Sequence, residues 1–79
     1  MQQKCYLLFA GDYVEDATFC PSIRYALGEF EATARELDGY GQKIEASIHF
    51  VDAKGEDFAE YPDRVLSLGP RGGLKVSAT

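Results

Sequence analysis

Apolar residues fall along this chain in patterns that switch period twice. Residues 4–10, Lys-Cys-Tyr-Leu-Leu-Phe-Ala, are apolar at nearly every position. A strand with both alternating faces apolar is one covered on both sides, or central in a small sheet. Gly11-Asp12 ends that run, and Asp12–Thr18 reads as an acidic loop carrying Tyr13.

The period then lengthens. Ile23, Ala26, Leu27, Phe30, Ala34 and Leu37 recur at three- and four-residue intervals. At about 100° per residue they gather into a single stripe, which predicts an amphipathic helix. Thr18 or Ser22 is placed to cap its start, and Pro21 is tolerated in a first turn. Gly39 suits the residue just past its end, in a left-handed conformation. Glu31 and Arg35 stand four apart in the favourable order. The opposite face carries Tyr25, Glu29, Ala32 and Glu36, with Gly28 and Ala32 leaving it low. It reads as a solvated face with one exposed tyrosine.

Residues 43–52 return to a period of two. Ile44, Ala46, Ile48 and Phe50 face one way, while Glu45, Ser47, His49 and, breaking the pattern, Val51 face the other. This is a half-buried strand. Residues 53–56 are a turn, and residues 58–63 are one helical turn or an irregular connector stopped by Pro62. Arg64–Leu68 and Leu74–Ser77 are short strands around the glycine-rich stretch of residues 69–73, which reads as a hairpin loop whose glycines supply positive φ. The predicted order is strand, helix, strand, strand, strand. One helix covering one face of a small, mostly antiparallel sheet is a two-layer α+β fold, here a single domain over residues 1–79. The second face of the first strand (Tyr6, Leu8, Ala10) then needs a cover, either the loop Phe58–Tyr61 or another chain.

Charge adds a second layer to this picture. All thirteen acidic residues lie between Asp12 and Asp63. Residues 1–63 carry five bases against those thirteen acids, a balance of −8. Residues 64–79 carry three bases (Arg64, Arg71 and Lys75) and no acid, which brings the chain to its net −5. An acidic body is repelled by phosphate backbones and anionic lipid, so direct nucleic-acid or membrane binding is disfavoured. The apolar run Cys5–Ala10 is too short for a signal-peptide core or a membrane span, so the chain reads as cytoplasmic. In a reducing compartment Cys5 and Cys20 read as free thiols, with Cys5 pointing into the core; a bridge between them is the alternative.

Candidate chemistry is sparse. The stretch 69–73 places Arg71, Gly72 and Gly73 where converging N–H groups could hold an anion, but the spacing matches neither a phosphate loop nor a dinucleotide fingerprint. His49 stands on the polar face of its strand without an evident nucleophile or carboxylate beside it, and reads as a surface histidine. Cys5, Cys20 and His49 lack metal-ligand spacing, and no stretch supplies alternating calcium ligands, so no metal or cofactor is expected. The most informative constellations are two acidic clusters with embedded aromatics. The first is Asp12, Tyr13, Glu15 and Asp16, followed by Phe19. The second is Glu56, Asp57, Glu60, Tyr61 and Asp63 around Phe58. Acids supply steering and rigid aromatics supply contact area, a combination suited to a basic surface that ordinarily holds nucleic acid.

Nothing assembles a nucleophile, base and orienter, so an enzyme is the weakest class. A macromolecular binder uses the features that are present. The alternatives are a small nucleotide or phosphate binder built on residues 69–73, and a structural subunit of a larger assembly. The opening Tyr-Leu-Leu-Phe-Ala-Gly-Asp, the brevity, the acidity and the one-helix α+β pattern resemble short phage-encoded proteins, among them the anti-CRISPR inhibitors. The resemblance is one of character over the whole chain, without a shared motif, so it carries no functional residue over. It implies a non-enzymatic inhibitor of a host defence complex, such as a CRISPR effector, in the host cytoplasm; with the acidic clusters, the expected contact is a basic surface of that protein or ribonucleoprotein complex. The thin core and doubly apolar first strand also allow a homodimer.

Overall fold

The computed structural model describes residues 3–38, 44–52, 54, 61–69 and 73–78. Among these residues the chain forms strand β1 (Cys5–Phe9), a 3-10 turn (Val14–Asp16), strand β2 (Thr18–Cys20), helix α1 (Ile23–Asp38), and strands β3 (Ile44–Phe50), β4 (Arg64–Leu68) and β5 (Leu74–Ala78). The strands make one antiparallel sheet in the order β2-β1-β3-β4-β5. With the helix packed on one face, this is the two-layer α+β fold that the periodicities predict. It has one strand more than they predict. The segment Thr18–Cys20, read from sequence as loop and helix approach, pairs with β1 instead.

The register sorts the side chains into two layers. Cys5, Leu7 and Phe9 of β1 lie beside Phe50, Ile48 and Ala46 of β3. Ala46 and Ile44 lie beside Leu66 and Leu68 of β4. These positions meet Ala26, Phe30 and Ala34 of the helix stripe, all fully buried. Phe30 is the largest side chain at the centre, stacked on Phe9 with ring centroids 5.7 Å apart. Ile23 and Leu27 pack at the margin, and Leu37, the last stripe position, stands 41% exposed beyond it.

Local chemistry sets the element boundaries. Gly11 adopts φ +92° where the Asp12 N–H donates to the Phe9 carbonyl (3.1 Å), a type II geometry that favours glycine there. Ser22 caps α1, its hydroxyl accepting from the Tyr25 N–H at 3.1 Å. Thr18, the other candidate cap, belongs to β2, and Pro21 precedes the cap rather than entering the first turn. Gly39 lies outside the described residues. Gly69 and Gly73 close the β4–β5 connection through a Gly69 N–H bond to the Gly73 carbonyl (3.0 Å). Neither of them has positive φ, so the hairpin does not use these two glycines in the way the sequence suggests.

One helix is about 10–12 Å wide, whereas five strands at about 4.8 Å spacing span roughly 19 Å. Accordingly α1 packs over the sheet from β2 to β4, and β5 is exposed along its length. The face of the sheet opposite the helix carries Tyr6, Leu8, Phe19, Ser47, His49 and Val65. Phe19 of β2 meets the Tyr6 ring edge-on at 5.5 Å, so part of the cover for the second face of β1 comes from the neighbouring strand. Tyr61, proposed from sequence as cover, is 79% exposed, and Phe58 lies outside the described residues.

Candidate protein-interaction surface

The first acidic cluster forms the connection between β1 and β2. After the Gly11 turn, the Asp16 N–H donates to the Tyr13 carbonyl (2.9 Å) and the Ala17 N–H to the Val14 carbonyl (3.1 Å). These bonds close the 3-10 turn, which buries none of its residues. Asp12, Glu15 and Asp16 are exposed around Tyr13 (76% exposed) and Val14 (59%). Carboxylates and apolar side chains thus share one protruding surface, held by its own backbone. Phe19, on the edge strand that follows, is 47% exposed.

Two hollows adjoin the base of this turn. A groove of about 470 Å³ runs between the end of β1 and the last turn of α1, lined by Phe9, Ala10, Asp12, Thr33, Leu37, Ile44 and Glu45. A smaller one of about 230 Å³ lies on the opposite side of the sheet end, against Leu8, Gly11, Ser47 and Val65. Asp12 and Glu45 line both. The larger groove combines apolar side chains (Phe9, Ala10, Leu37, Ile44) with two carboxylates, a chemistry that suits the aliphatic stem and charged head of a lysine or arginine. Periodicity placed Glu45 on the polar side of its strand, but only the fold brings it to the same groove as Asp12.

The second cluster divides. Glu56, Asp57 and Glu60 lie outside the described residues, and Tyr61 is exposed. Asp63 serves the scaffold: its carboxylate accepts from the Phe50 N–H (2.8 Å), and its own N–H donates to the Ile48 carbonyl (2.8 Å). It fastens the entry of β4 to β3, with one carboxylate oxygen engaged. Arg71 and Gly72 of the anion-binding alternative lie outside the described residues, while Gly73 is exposed ahead of β5. Strand β5 follows it in the chain.

His49 departs from the reading as a surface histidine. It is on the predicted face but only 5% exposed, with Nε2 2.9 Å from the Ser47 hydroxyl. Residues two apart on a strand share a face, so the signal for this pair was present in the sequence. The Ser47 hydroxyl also lies 3.4 Å from the Leu8 carbonyl, to which it can donate. That arrangement satisfies polar groups on the sheet face.

Cys5 and Cys20 are free thiols, fully buried and directly opposite each other across β1 and β2. Burial, then the neighbouring Cys20 sulfur, pushes the Cys5 thiol up to about 11. Burial, then the charge of Glu29, pushes Cys20 up as well. Among the described residues no group of His, Cys, Asp or Glu could hold a metal ion, and no helix is long and apolar enough to cross a membrane. Comparison with known proteins finds no matching family model, curated protein or solved structure.

Proposed function

We propose that this chain is a macromolecular binder that presents the acidic turn Asp12–Asp16 to a basic surface of a protein or ribonucleoprotein partner. The observation that carries this reading is the exposure of Tyr13 and Val14 among three carboxylates on a turn with no buried residue. A turn that only kept the domain soluble would not need two large apolar side chains in water. A partner would supply Arg or Lys to the carboxylates and to the groove rimmed by Asp12 and Glu45, while Tyr13 and Val14 supplied apolar contact. A basic surface of that kind ordinarily holds nucleic acid, so occupying it makes the binder an inhibitor by competition. The resemblance in character to anti-CRISPR proteins extends the proposal to a CRISPR effector as the partner.

The test is displacement of fluorescent target DNA from purified, guide-loaded CRISPR effector complexes. The proposal expects stoichiometric displacement at low salt that weakens at least tenfold between about 50 and 300 mM salt. Displacement insensitive to salt would exclude the acidic turn as the source of binding. No displacement from any complex would exclude this class of partner.

A further inference from the structure

The acidic turn has a neck, and the neck is a pair of thiols. Cys5 on β1 and Cys20 on β2 are register partners, and the fourteen residues between them contain the Gly11 turn and the whole Asp12–Asp16 projection. Both sulfurs belong to the buried core, and no disulfide joins them. We propose that Cys5 and Cys20 are a reversible oxidation site, closing to a disulfide that staples the base of the acidic turn.

Geometry supports the closure. Directly opposed residues of an antiparallel pair hold their Cβ atoms about 4.5–5.5 Å apart, and a disulfide needs about 3.5–4.5 Å. A movement of about 1 Å suffices, and β2 is the element able to make it. It is a three-residue strand at the sheet edge, bonded to β1 alone, and its Thr18 and Phe19 are exposed. Burial keeps both thiols protonated while the edge is closed, so reaction waits on β2 lifting away.

With a disulfide such as oxidised glutathione as oxidant, the steps balance. The Cys20 thiol, exposed when β2 lifts, loses its proton and attacks one glutathione sulfur, releasing one glutathione thiolate. Cys5 then loses its proton and attacks the Cys20 sulfur of the mixed disulfide, forming the Cys5–Cys20 bond and releasing the second glutathione thiolate. The two protons pass to the two thiolates, and two glutathione thiols are formed for each protein disulfide. The consequence is a closed loop whose acidic turn has fewer conformations to lose on binding. That consequence for affinity rests on the function proposed above; the oxidation itself does not.

The experiment incubates the folded full chain with excess oxidised glutathione at pH 8, then counts free thiols and measures intact mass, gel migration and thermal midpoint. The expected result is loss of both thiols per chain, a mass lower by two hydrogens, no chain-to-chain crosslink, and a midpoint raised by about 10 °C. Cys20→Ser should stop at a glutathione adduct or stay unmodified, with no intramolecular bond. If that variant fails to fold, the wild-type thiol count and mass still decide. Two thiols retained by the folded chain under conditions that oxidise the urea-unfolded chain would overturn the proposal. So would crosslinked dimers, or a midpoint that falls on oxidation. None of these readouts involves a partner, so failure of the binding proposal leaves this one standing, and the reverse.

Discussion

At the scale of single residues, the clearest assignments are those in which burial and chemistry coincide. Phe30 is wholly buried at the centre of the core and stacks on Phe9, so Phe30→Ala removes both burial and a ring contact. A cost of about 3–5 kcal/mol is expected, read as a lower urea midpoint with an unchanged slope. The thiol of Cys5 gives a pH signature. Its value in the folded chain stands at about 11 against an ordinary 9.0, so the neutral thiol is favoured by the fold. The stability it contributes is fully present below about pH 9 and is lost as pH rises through about 11. The urea midpoint of the reduced protein should therefore fall over that window, and it should fall less in Cys5→Ala. At this scale the sequence revealed residue type and face but not surroundings. His49 illustrates the gap. Alternation placed it on the polar face, while its burial and its bond to Ser47 follow from strands that only the fold brings alongside.

At the scale of elements, legibility follows the length of the repeating pattern. The sixteen residues of α1 contain four turns of one stripe, enough repeats to mark the helix from sequence, while the choice of Ser22 over Thr18 as its cap comes from the fold. The alternation of Ile44 to Phe50 marks β3 in the same way. Strand β2 has three residues and one buried position, too few to show a period. Its conformation is decided by hydrogen bonds to β1, which is a tertiary cause. The outer face of α1 yields a prediction of its own. Gly28 sits in the helix interior, and a Cβ there would meet nothing within 4 Å. Gly28→Ala should raise stability by up to about 1 kcal/mol, seen as a thermal midpoint several degrees higher. Removing the cap with Ser22→Ala should cost about 1 kcal/mol in the same assay. The Arg35–Glu31 pair at 2.8 Å is exposed on both sides, so Arg35→Ala should shift the midpoint little.

At the scale of the whole molecule, one helix on five strands leaves the sheet unevenly covered, and the chain's charge is uneven as well. Acids dominate up to Asp63 and bases alone follow. The fold class was legible because it needs only the order and period of elements. The candidate surface was legible in part. Asp12, Tyr13, Glu15 and Asp16 stood out as a composition, but loops have no periodicity to tell an anchored aromatic from an exposed one. The structure resolves that for Tyr13, which is exposed, and it engages the half-buried Asp63 carboxylate with the Phe50 N–H. The proposed function therefore rests on the turn between β1 and β2. The most direct measurement is the affinity of the charge-reversed triple variant Asp12→Lys, Glu15→Lys, Asp16→Lys for a CRISPR effector complex that the unaltered chain displaces from its DNA. Circular dichroism first confirms that the variant is folded, because these side chains are exposed and outside the core. The account predicts a loss of at least a hundredfold, with Tyr13→Ala alone costing at least tenfold. A folded triple variant that binds as tightly as the unaltered chain would contradict it.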